Sequence, residues 1–135
     1  MNYWLVKSEP AAYSWSDFTR DGATDWTGVR NFQARNYLQQ MQPQDLVLFY
    51  HSVTEKTVVG VARVAAAPAP DATAGADSGW VAVRLQPHQP LPRPVSLAQI
   101  KQDARLGQIG LLRQSRLSVM PLREEEFDLI LELGS

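Results

Sequence analysis

Lys7, Ser8 and Glu9 follow one another at the end of an apolar run. In an extended chain Lys7 and Glu9 share one face and Ser8 takes the other. A cation beside a carboxylate can orient a polar ligand; the plainer alternative is an exposed ion pair worth under about 1 kcal/mol. A second cluster, Trp26-Thr27-Gly28-Val29-Arg30-Asn31, is a glycine-containing entry to a helix. The first amides of a helix have no partner inside it and can receive a polar or anionic group. Trp26 adds a flat π-face of the kind that stacks on a base with about 1–3 kcal/mol, although a tryptophan equally suits a core. In the third cluster, Phe49-Tyr50-His51-Ser52, an apolar run ends in a ring and two hydrogen-bonding side chains. That is the make-up of a pocket rim, or of a strand end whose polar groups are simply satisfied. The fourth, Arg113-Gln114-Ser115-Arg116-Leu117-Ser118, carries two guanidiniums that can meet phosphate or sit solvated in a basic turn.

The elements that must hold these groups are readable from local pattern. Tyr3-Trp4-Leu5-Val6 is an aromatic and β-branched run, and Pro10 behind it cannot donate to a ladder, so a first strand is expected to end at Glu9. Ser14 stands three residues before Asp17, with Trp15 and Phe18 spaced for one buried face of a short helix that Asp21-Gly22 stops. Ala34, Tyr37, Leu38 and Met41 form one helical stripe, which predicts a helix over about 30–40 closed by Pro43. Leu46 to Tyr50 reads as a strand buried on both faces, followed by strands over 57–64 and 80–85. Between the last two, residues 65–79 are rich in Ala, Pro, Gly and Asp and read as a mobile surface loop. Ser96 to Gln99 is a capping box, Leu117-Ser118-Val119 a brief strand, and Pro121 precedes a final helix with Phe127, Ile130 and Leu131 inward and Gly134 as its stop. Strands and helices together predict an α+β chain, with helices flanking a small curved sheet or barrel.

Size and composition bound the function classes. A chain of 135 residues, 44% hydrophobic and 20% charged, is expected to fold as one domain spanning 1–135. Its start lacks a signal-peptide pattern, so a cytoplasmic address without membrane attachment is expected. With no cysteine and only His51 and His88 as imidazoles, neither a metal site nor a cofactor is expected. Net charge is −1, yet Glu124, Glu125, Glu126, Asp128 and Glu132 crowd the end of the chain, leaving residues 1–123 at +4. A partly basic face is compatible with that distribution, as is an acidic cluster that merely complements the start of the last helix.

In this order the motifs YWLVKSEP (3–10), WTGVRNFQARNYL (26–38), LVLFYHS (46–52), VVGVARV (58–64) and RLSVMPLREEEFDLILELG (116–134) resemble the EVE domain family over nearly the whole chain. The resemblance implies a PUA-like β-pseudobarrel flanked by helices and related to YTH and ASCH domains. It further implies a module that recognises a modified nucleobase, for example a methylated cytosine, flipped into an aromatic-lined pocket. On that likeness the base pocket would comprise Lys7, Ser8, Glu9, Trp26, Val29, Arg30, Asn31, Tyr50, His51 and Ser52. Arg35, Arg113 and Arg116 would hold flanking phosphates. The expected partner is DNA or RNA carrying a modified base, bound by a monomer, with no catalytic residue. The alternative is an ASCH-like amidohydrolase acting on a modified nucleoside through Lys7 and Glu9. The chain departs from the family between Ala66 and Gly79, where many members carry a longer insert that only Pro70-Asp71-Ala72-Thr73 resembles.

Overall fold

The computed structural model describes residues 1–75 and 77–135. In chain order the elements are β1 (Tyr3–Ser8), α1 (Trp15–Asp21), β2 (Thr24–Trp26), α2 (Phe32–Gln40), β3 (Leu46–His51), β4 (Thr57–Val64), β5 (Ala69–Pro70), β6 (Val81–Ser96), α3 (Leu97–Gln102), α4 (Gly110–Arg113), β7 (Val119–Leu122) and α5 (Glu124–Leu133). The strands pair in the order β2-β6-β4-β3-β1-β7, with β5 on the side of β6. β1 runs parallel to β3, and the other pairs are antiparallel. The result is a curled, mixed half-barrel in an α+β fold. Its curl has a local cause: the ladder slips at Phe49/Tyr50, Val58/Gly60 and Val61/Ala62, and such bulges bend a strand and raise its twist.

β1 and β3 lie inside the sheet, so Trp4, Leu5 and Val6 and the run from Val47 to His51 are all buried, as a strand covered on both faces requires. Both expected capping boxes form, Ser14 with Asp17 on α1 and Ser96 with Gln99 on α3. Gly22 ends α1 at φ +74, a left-handed conformation that suits glycine. α2 lays Ala34 and Leu38 against the core and packs on β6 and β7. α5 buries Phe127 and Ile130 as expected, Leu131 packs partly buried against the core, and Leu129 and Glu126 are buried as well. Among the described residues no helix is long and apolar enough to cross a membrane.

Four features differ from the sequence pattern. α2 starts at Phe32 and not at residue 30, because Asn31 is extended and caps it. The strand expected at 80–85 continues to Ser96; its prolines fall where the ladder with β4 is broken by bulges, the setting in which a sheet tolerates them. The brief strand foreseen at 117–119 lies at Val119–Leu122, beside β1. In the loop foreseen at 65–79, of which residue 76 lies outside the described residues, Ala69 and Pro70 pair with Ala82 and Val81, and Asp71 is fully buried.

Candidate functional site

A cavity of about 460 Å³ opens beside the end of β1, within the range usual for small-ligand sites. Trp26, the last residue of β2, forms one wall. It is half-buried, and its ring meets Phe49 edge-on at 5.6 Å and Tyr13 edge-on at 6.5 Å. Phe49 is itself stacked on Phe18 at 5.3 Å and capped edge-on by Trp15 at 5.3 Å. Trp15 fits because residue 60 is glycine: a Cβ there would stand 2.5 Å from the indole. This chain of rings fixes the orientation of Trp26 while part of it remains open to the cavity.

The next wall is the turn from Gly28 to Asn31, and Asp71 holds it. The Asp71 carboxylate accepts the Gly28 amide at 2.8 Å, Arg30 Nη1 at 3.0 Å, and the amide and hydroxyl of Thr73 at 2.8 and 2.6 Å. Burial alone would raise its pKa, but the bonds from Thr73, Gly28 and Arg30 prevail and hold the carboxyl well below the usual carboxylate range. Gly28 sits at φ +80, a conformation costly for any residue with a Cβ. Asn31 Oδ1 accepts the Ala34 amide at 2.9 Å, which leaves its NH2 as the group still able to donate to a ligand. Val29 is buried beneath the turn.

The third wall is the end of β1. Ser8 Oγ donates to the Tyr13 carbonyl, which leaves its lone pairs to accept. Lys7 Nζ donates to the Ser115 carbonyl at 2.8 Å, and burial pushes its pKa below the ordinary 10.5. Lys7 and Glu9 therefore line the cavity without pairing: among the described residues no ion pair joins them.

Seven of the sequence-predicted residues, Lys7, Ser8, Glu9, Trp26, Val29, Arg30 and Asn31, thus meet at one cavity. Three do not join them. Tyr50 and Ser52 line a second hollow of about 530 Å³ on the other flank of β1, together with Lys56, Ser115 and Arg116. Tyr50 stands opposite Lys7 in the parallel ladder and is almost fully buried, which raises its pKa. His51 lines neither hollow. Its Nε2 accepts the Trp15 amide at 3.0 Å, so the ring proton lies on Nδ1, which donates to Glu55 at 3.1 Å. Its work is to seat Trp15. Of the three arginines assigned to phosphate, Arg116 lines the second hollow, Arg113 donates to the Gly107 carbonyl at 2.9 Å, and Arg35 lies over the rings of Phe32 and Trp80. Asp71 and Tyr13 were not foreseen as site residues; the signal for Asp71 was its spacing to Thr73, an Asx turn that binds its own backbone two residues on. Among the described residues no group of three or more His, Asp or Glu is placed to hold a metal ion.

Residues 2–133 match the family model of the EVE domain. The chain belongs to the EVE domain family. As an EVE domain it is similar to the Atu2648 protein of Agrobacterium tumefaciens, with 41% identity and a TM-score of 0.98 over 100% of this chain and 94% of that one. Human THYN1, crystallised in complex with DNA containing 5-methylcytosine, is 29% identical with a TM-score of 0.93 over 100% of this EVE domain and 98% of THYN1. The YTH domain of Zygosaccharomyces rouxii MRB1, at 18% identity and a TM-score of 0.63 over 99% of this chain and 86% of that one, shares the fold. The α+β, PUA-like architecture expected from the motifs is therefore the one observed.

Proposed function

We propose that this EVE domain binds nucleic acid and holds a modified base, flipped from its strand, against Trp26. The observation that carries the reading is a half-buried tryptophan fixed by neighbouring rings at the wall of a cavity of about 460 Å³. Flipping a base costs a few kcal/mol, and stacking on one aromatic face returns about 1–3 kcal/mol. The remainder must come from the base edge. Glu9 is suited to accept from an exocyclic amine of the cytosine type, the Asn31 NH2 and Lys7 to donate to a carbonyl or ring nitrogen, and Ser8 to accept. The likeness to human THYN1, which was crystallised with 5-methylcytosine DNA, supports the same ligand class and makes methylated DNA the first probe.

Binding of this kind needs no nucleophile, and the unpaired Lys7 and Glu9 are read here as ligand contacts and not as an amidohydrolase pair. In the same reading residues 1–135 act as one monomeric domain. A cytoplasmic setting belongs to the same reading.

Trp26→Ala tests the proposal. It should weaken binding to a 5-methylcytosine oligonucleotide by about 1–3 kcal/mol and bring it to the level of the unmethylated control. A thermal melt must first show the variant folded, because losing a ring that packs on Phe49 also costs stability. A folded Trp26→Ala that still discriminates fully would make Trp26 a core residue and end the reading.

A further inference from the structure

Beyond the cavity, the first turn of α2 carries an aromatic residue that the core does not use. Phe32 is 64% exposed. Its ring stacks on Trp80 with centroids 5.0 Å apart and 23° between planes. Arg35 lies 5.0 Å from the centroid of Phe32 and 5.6 Å from that of Trp80, and Arg30 lies 5.7 Å from that of Trp80. Two guanidiniums thus brace a pair of rings at the surface, and the pair adjoins the cavity through Arg30 and Asn31, which line it. An exposed phenyl ring gains nothing from water, and flat rings beside fixed positive charge complement a nucleobase and its phosphate.

We propose that Phe32 and Trp80, braced by Arg35, form a stacking platform for the base that neighbours the flipped one in the bound strand. This deepens the reading of the Trp26 cavity and rests on it for the position of the strand. Phe32 supplies the exposed ring, Trp80 backs it, and Arg35 serves to hold the rings and face the adjoining phosphate.

The test uses the intact protein and a DNA oligonucleotide with one 5-methylcytosine, its unmethylated counterpart, and versions with an abasic site on either side of the target base. Phe32→Ala should lower affinity for the methylated oligonucleotide roughly 5- to 100-fold, whereas Phe32→Trp should hold it. One of the two abasic oligonucleotides should bind the unaltered protein as weakly as Phe32→Ala binds the intact strand, and combining the two changes should give no further loss. Wild-type affinity in Phe32→Ala, or losses that simply multiply, would overturn the platform. Retained affinity in Phe32→Leu would also overturn it, pointing to an apolar contact with some other partner. If methylated and unmethylated strands bind equally well but Phe32→Ala still weakens both and matches an abasic neighbour, the platform stands and the cavity reading falls.

Discussion

The two hollows flanking the end of β1 share Lys7, Glu9 and Ser118 but hold their remaining polar groups in opposite ways. Around Trp26 nearly every group is fixed from behind. Asp71 grips Gly28 and Arg30, Asn31 caps α2, and Ser8 is tied to Tyr13. Around Tyr50 the cations stand loose: among the described residues Lys56 and Arg116 make neither a side-chain hydrogen bond nor an ion pair. A site that tells a methylated base from its unmethylated counterpart needs its groups held within a fraction of an ångström, which calls for a supporting shell. Attraction of a phosphate chain needs only charge nearby and is screened by salt. Under the proposed function, the two flanks would divide selectivity from attraction along that physical line.

The comparison breaks most readily at Asp71. Asp71→Ala should cost about 1–3 kcal/mol, because the Gly28 amide and Thr73 lose a buried acceptor, whereas Arg30 is 40% exposed and can return to water. Discrimination between methylated and unmethylated strands should disappear with it. The pH dependence has a definite sign. A carboxyl depressed in the folded state stabilises fully above its unfolded value, 3.8, and loses that contribution as the pH falls through the native value. Urea unfolding should therefore give a constant gap between wild type and Asp71→Ala from neutral pH down to about pH 5, closing below 3.8. A gap under about 0.5 kcal/mol at neutral pH would mean that the turn from Gly28 to Asn31 needs no anchor.

Which parts of this arrangement were legible in the sequence follows from how local their causes are. The caps at Ser14 and Ser96, the stripe through Ala34 and Leu38 and the buried run before His51 depend on neighbours within four residues, and they formed as the pattern predicts. The length of β6 was hidden because its prolines forbid a regular ladder and say nothing of one broken by bulges. Residues 65–79 looked like free loop because composition cannot register that Asp71 would meet Gly28 and Arg30, more than forty positions away. The pocket was legible as a set of residues but not as a side. Tyr50 and Trp26 were expected around one concavity, whereas Tyr50, although paired with Lys7 across β1 and β3, lines only the second hollow. For His51, only its bond to the Trp15 amide separates a ligand contact from a structural one.

Support from behind can also be loosened without touching the cavity lining. Gly60→Ala would bring a methyl group to 2.5 Å from the ring carbons of Trp15, closer than packed atoms allow, and that indole backs Phe49, which in turn meets Trp26. Overpacking of this kind costs about 1–3 kcal/mol. Affinity for a methylated strand should fall by less than in Asp71→Ala, since Trp26 would tilt and not lose its turn. Near-UV circular dichroism, which reports the fixed ring cluster, should change together with the binding. An altered spectrum with unchanged discrimination would show that the orientation of Trp26 does not set selectivity.

The smallest effect on stability, and the sharpest test of the division, is expected at Arg116. Arg116→Ala should leave the unfolding free energy within about 0.5 kcal/mol, since no described residue depends on that side chain. It should weaken methylated and unmethylated strands by the same factor. If the guanidinium meets one phosphate, the slope of log affinity against log salt should become shallower by about 0.9 on duplex DNA or about 0.7 on a single strand. Arg113, three residues earlier, is the internal control. Its Nε donates to the Gly107 carbonyl, so Arg113→Ala should cost up to about 1 kcal/mol of stability for the lost bond, a loss that Arg116→Ala should not show, and its salt slope reads whether this guanidinium also meets phosphate. A salt titration of both variants on matched oligonucleotides decides the matter. If Arg116→Ala reduces discrimination instead of overall affinity, the two flanks read the base together, and the separation of selectivity from attraction is wrong.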